Sequence, residues 1–350
     1  MREHSTLRRR TPRSGIAGAW VAVAFFALAG VASLVIDVGS LVVAAQRCQD
    51  VADSAALAAA RRLPYVTPAS QAALGTVSTN NSDAIGWPVT ASNSDLAFYY
   101  PGDTVDGVFL GPWAHAVTVQ VHGHVDYTFG RLLGIDGADA QRHGTAVRAP
   151  VKGIPLCPMW IAHNTPIDYT GQTPVNLLMA DGPHYADIPG SFGFLLSPAG
   201  CTCDWFKLLQ GYNLTWQDIE TSFVQTGDTV YAKTGVTVGN WVKALVNDAG
   251  TSRYEQGTSG DWAGDQYIPP NVLPQNDNPR IMLIPLVRYL GDSGTNAAFR
   301  IESFAAFWLD GVNQGKKEIY GRFMYFDLPG GEPNPPQLKT NGIFATRLIG

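Results

Sequence analysis

Gly15 to Ile36, GIAGAWVAVAFFALAGVASLVI, contains no charged residue. As a helix rising about 1.5 Å per residue, it is long enough to cross a hydrocarbon core of about 30 Å. A run this apolar is poorly suited to a soluble surface, so the sequence predicts a membrane-spanning helix with the lipid bilayer as its surroundings. Ahead of it, Arg2, Arg8, Arg9, Arg10 and Arg13 outweigh Glu3, whereas the acid excess behind the net charge of −5 lies beyond it. Positive flanks stay on the cytoplasmic side. The expectation is a single-pass protein of the inner or plasma membrane, with a cytoplasmic N-terminus and an extracytoplasmic C-terminal domain. A cleaved secretory signal is the rival reading, but its apolar core is only roughly 7–15 residues long.

The helix is not expected to stop at the membrane. Asp37-Val38-Gly39 is followed by Leu41 to Ala45, and residues 46–62 contain neither Gly nor Pro. The alanine-rich end, AALAAARR, has high helix propensity, and Pro64 ends it. One helix over 15–62 is predicted. Gln49, Asp53, Ala56 and Ala60 share one face, and Asp37, Leu41, Ala44 and Cys48 share another. Faces this small let a helix or sheet approach closely. The partner surface is either the protein's own exterior domain or another protein. Asp37, Gly39, Gln49, Asp53 and Ala56 are the docking candidates. Asp37 at the outer edge of the span is either wetted at the interface or meets a partner's cation or helix N-terminus in an assembly.

This ordered set of basic leader, Gly15, apolar run, Asp37-Val38-Gly39 and Cys48-Gln49-Asp50-Val51-Ala52-Asp53-Ser54-Ala55-Ala56-Leu57-Ala58-Ala59-Ala60 resembles the TadE/TadG-like family of Flp (Tad) pilus-assembly proteins. The resemblance covers about residues 15–62. It implies a bacterial envelope protein, a non-enzymatic scaffold or assembly factor for a tight-adherence pilus. It further implies that other pilus-assembly or envelope proteins bind through the N-terminal helix. Trp20 stands five residues after Gly15, where a processed pseudopilin has Glu. Asp292-Ser293-Gly294-Thr295-Asn296 lacks the Asp-x-Ser-x-Ser metal signature of the von Willebrand factor A domains carried by longer relatives. The resemblance therefore implies assembly or anchoring alone.

The fold class expected is α+β, with a mainly β exterior domain behind one long N-terminal helix. The divisions are a cytoplasmic leader over 1–14, the transmembrane and emerging helix over 15–63, a small α+β region over 64–150 and a β-rich domain over 151–350. Val117 to Val125 alternates with period two, Tyr127 to Leu133 reads as a short helix ended by Gly134, and Ala140 to Val147 alternates again. Further strands are expected at Met159–Ala162, Phe192–Leu196, Ile281–Tyr289, Ser303–Leu309 and Ile319–Asp327. Together they suggest a sandwich-like or irregular β domain.

No catalytic constellation is legible. A Gly-x-Ser-x-Gly turn and a phosphate-cradling loop are both missing from the sequence. His122 and His124 share one strand face without a third ligand, and Asp261, Asp265 and Asp277 read as a solvated loop. No enzyme activity, metal or cofactor is expected. With no basic stripe beyond the leader, nucleic acid is not an expected partner. Trp205, Trp216, Trp241 and Trp262 support an alternative, a membrane-tethered module that binds surface polysaccharide. In an oxidising exterior, Cys157 is expected to bridge to Cys201 or Cys203, contributing roughly 3–4 kcal/mol.

Overall fold

The computed structural model describes residues 14–82, 88–199, 201, 205–211, 214–247, 250–259, 278–328, 331–333 and 342–349. The architecture is α+β and mainly β, with one long apolar helix leading into several sheets.

The first helix, α1, runs Ser14–Ala60, and Pro64 follows a short turn. A second helix, α2, spans Val66–Ser82, where no helix was expected. Pro68 sits in its first turn, where a missing N–H costs nothing. Ala69, Ala73 and Val77 form a buried stripe one helical turn apart, packed into the apolar cluster that contains the α1 alanines. The Arg47 guanidinium donates to the Asn80 carbonyl at 2.7 Å, placing a cation at the C-terminal end of α2.

The first helix lies against an antiparallel hairpin, His115–Asp126 paired with Gly137–Pro150, while α2 packs on α1 and on residues 89–90. Val117, Val119 and Val121 point into the α1 face, and Thr118, which bonds Thr145 across the hairpin at 2.9 Å, points away. Short strands Val89–Thr90 and Leu96–Tyr99 pair the outer edge of the hairpin. Its other edge is paired by Ile343–Ile349, so the last described strand returns to the sheet on which α1 lies. Phe326–Asp327 then adds to that strand in parallel.

The remainder is a closed barrel, where a sandwich-like or irregular domain was expected. Six strands form an unbroken hydrogen-bonded circuit: Met159–Ala162, Val175–Met179, Ser191–Phe194, Ile281–Gly291, Ala298–Asn313 and Glu318–Met324. Closure depends on Ala298–Asn313, which pairs Ile281–Gly291 along one edge and Glu318–Met324 along the other. Closing the sheet removes exposed strand edges. All six strands feed one apolar cluster, through Ile161, Leu177, Phe192, Ile284, Phe307 and Ile319, and Trp241 and Leu245 join it from the helical segment. Outward residues Phe304, Ala306 and Trp308 belong to a second cluster with Ile154, Phe326, Ile343 and Ala345, which ties the barrel to the helix-bearing sheet. Across that seam, Arg148 bonds Asp327 at 2.9 Å with both side chains largely buried, and its guanidinium lies 3.9 Å from the Phe344 ring centre.

Candidate functional site

The helix-to-hairpin junction gathers most of the residues singled out from the sequence. Along α1 the surroundings change at one residue. From Gly18 to Ile36 the side chains are almost all exposed, and the apolar window is 0% buried, with a mean hydropathy of 2.4. Asp37 is only 5% exposed. Beyond it, Ala44, Cys48, Val51, Ala52, Ala55 and Ala59 form a continuous buried stripe. The described α1 is thus long and apolar enough to cross a membrane, and it is docked on its own domain only beyond Ile36.

Asp37 is held by backbone. Its Oδ1 accepts from the Thr128 amide at 2.9 Å, and its Oδ2 accepts from Phe129 at 3.2 Å and Gly130 at 2.7 Å. These donors lie in the hairpin turn, at the entry to a 3-10 turn, Gly130–Leu133, that ends on Gly134 in the left-handed region. In place of interfacial water or a partner's cation or helix N-terminus, Asp37 thus meets backbone N–H groups of its own chain. A carboxylate with several N–H donors is well compensated for leaving water.

The other candidates fall along the same contact. Gln49 donates to Asp53 at 2.8 Å and to the His143 carbonyl at 3.0 Å. Ala56 is fully buried. Gly39 is exposed, with nothing within 4 Å of the direction a Cβ would take. Asp37, Gln49, Asp53 and Ala56 thus contact the protein's own hairpin or core, leaving Gly39 open. Next to it, Gln46 and Asp50 bond each other at 3.0 Å on an exposed stripe that continues to Ser54.

Two glycines of the hairpin set the close approach. A Cβ on Gly144 would stand 2.5 Å from Asp53 Oδ1 and 2.7 Å from the Ala52 backbone carbon, and one on Gly123 would stand 2.8 Å from Cys48 Sγ. The alanines of α1 and these glycines are two sides of one fit, a pairing that no local pattern in the chain reveals. Gly144→Val should therefore displace α1 and lower stability by about 1–3 kcal/mol, the usual cost of overpacking. The check is chemical denaturation of the full chain in detergent; an unchanged midpoint would mean the helix tolerates a wider gap.

Other sequence-marked groups are dispersed. His122 bonds Asp95 at 3.0 Å, and His124 bonds Asp139 at 2.6 Å, which holds the His124 imidazole above its ordinary pKa. These are separate His–Asp hydrogen bonds, and among the described residues no three His, Cys, Asp or Glu side chains are grouped to hold a metal. Asp261, Asp265, Asp277 and Trp262 lie outside the described residues. Trp241 is fully buried in the barrel, Trp205 packs on Phe194 at 5.8 Å, and Trp216 is 79% exposed. These three do not form the joint aromatic surface on which the polysaccharide alternative depends.

The expected Cys157 disulfide is absent. Cys157 is a free thiol enclosed with Met159 and Leu209, and burial raises its pKa. Cys201 sits partly exposed in the turn after Pro198, and Cys203 is outside the described residues. An oxidising compartment permits a bridge but does not bring two thiols within bonding range. Cys157 and the buried Cys48 should resist maleimide in the folded protein and react on unfolding. Mass analysis of the labelled peptides is the check, and native labelling of Cys157 would contradict its burial.

No curated protein and no solved structure matches the chain. Residues 15–62, which contain the apolar window, Asp37 and the docked alanine face, match the family model described as "Putative Flp pilus-assembly TadE/G-like".

Proposed function

We propose that the protein is a single-pass, membrane-anchored scaffold of the bacterial cell envelope that serves assembly of a Flp/Tad-type pilus without catalysis. The observation that carries this reading is the division of α1 at Asp37. The apolar part is bare and the remainder is locked to a folded domain, as an anchor with a rigid exterior mount requires. The family match falls on this same segment. The arginine-rich leader supports a cytoplasmic N-terminus, and the barrel then lies outside. Other pilus-assembly or envelope proteins engage α1 on the face its own sheet leaves open, along Gly39, Gln46, Asp50 and Ser54.

Removing the gene from its host should eliminate surface pili, and the full chain should restore them. Pili in normal number after removal would defeat the assembly role. A photo-crosslinker at Asp50 in host membranes should capture pilus-assembly proteins, and none captured would remove α1 as the contact.

A further inference from the structure

The membrane-facing end of the exterior domain can be located from the chain itself. His143 lies beside Gln49 and the hairpin turn lies at Asp37, so the hairpin runs along α1 toward the span. From Gln49 to Asp37 the helix descends about 18 Å. From Ser14, its first described residue, to Asp37 the helix rises about 35 Å, slightly more than the hydrocarbon thickness of about 30 Å. With that excess on the leader side, Asp37 stands where the hydrocarbon meets the outer headgroups, and three backbone amides fix the hairpin turn at that level.

Apolar side chains are bare at this level. Ile135 in the turn is 52% exposed, and Phe129 beside it is half-buried. On α1, Val38 and Val42 are 48% and 62% exposed, one helical turn apart and continuous with bare Val35 below. No charged residue occurs between Asp37 and Arg47. Headgroups add roughly 5–8 Å beyond the hydrocarbon on each side, which matches the rise from Asp37 to Val42. The charges around the turn are balanced or acidic: Asp126 pairs with Arg131 at 2.7 Å, Asp139 with His124, and Asp136 is exposed.

We propose that the hairpin turn around Ile135, with Val38 and Val42 of α1, forms an apolar collar that seats the exterior domain on the outer surface of the bilayer. The collar rests on α1 crossing the membrane, as proposed above. Its contacts are apolar and its charges are not net basic, so it engages zwitterionic lipid without needing anionic headgroups.

The test uses the full chain in phosphatidylcholine vesicles, with p-benzoylphenylalanine placed singly at Phe25 in the span, at Ile135, or at Tyr65. Tyr65 is 58% exposed and follows the end of α1, which lies roughly 35 Å along the axis from Asp37. Irradiation followed by mass analysis should give lipid adducts at positions 25 and 135 and none at 65. Adducts at 25 but none at 135, or adducts at 135 to protein alone, would overturn the collar and leave the span intact. Loss of adducts at 25 would instead show that the span itself is wrong and take the collar with it.

Discussion

Replacing Asp37 with alanine should release the hairpin turn from α1. The Thr128, Phe129 and Gly130 amides would lose their shared acceptor, and hydrogen bonds to a charged group contribute roughly 1.5–3 kcal/mol each. The turn is partly open to solvent, so water recovers much of that loss. A local destabilisation of about 2 kcal/mol is expected, which speeds amide exchange over 126–137 by roughly thirtyfold. Asp37→Asn keeps an acceptor oxygen and should fall between the two. Exchange mass spectrometry of the full chain in micelles reads the effect. Equal exchange in all three proteins would show that the carboxylate does not hold the turn.

The second large effect is expected at the seam between barrel and sheet. Arg148→Met removes the guanidinium that neutralises Asp327 and stacks on Phe344, leaving a carboxylate side chain that is only 14% exposed. Deleting one partner of a buried pair costs about 3–5 kcal/mol, mostly because the other charge is stranded. Lysine at position 148 keeps the charge but not the planar stack, so Arg148→Lys should recover only part of the loss. Combining Arg148→Met with Asp327→Asn should destabilise less than the sum of the single changes. Denaturant midpoints of these variants beside the unaltered protein decide it. A loss below about 1 kcal/mol for Arg148→Met would place the pair in water, as for a surface bridge.

What the sequence disclosed follows from how local each signal is. The long helix was readable because an uncharged run and an alanine tract without breakers are both properties of consecutive residues. The hairpin was readable because Val117, Val119 and Val121 alternate with polar residues facing away. The helix Val66–Ser82 was missed because Pro68, Gly75 and its Ser, Thr and Asn residues mask a weak stripe of Ala69, Ala73 and Val77. That stripe matters only once α1 lies beside it. Barrel closure was hidden because Ala298–Asn313 is buried on both faces through its middle, which erases the alternation, and because the circuit closes through strands far apart in sequence, Ile281–Gly291 on Met159–Ala162 and Glu318–Met324 on Val175–Met179. The Asp37 contacts join residues more than 90 positions apart, beyond any local pattern. Cys157 failed in the opposite direction, since compartment chemistry suggested a bond that the packing does not bring about.

The pairing of Ile343–Ile349 with Gly137–Pro150 bears on how the protein is made. While the ribosome is still translating the barrel, the edge of Gly137–Pro150 that will receive residues 343–349 stays open, although its other edge can already pair with His115–Asp126. The apolar part of α1 precedes the barrel in the chain, yet the sheet on which α1 lies is completed only by residues 343–349, which follow the barrel. A nonsense codon just before Ile343 should thus leave that edge open and give a protease-sensitive product.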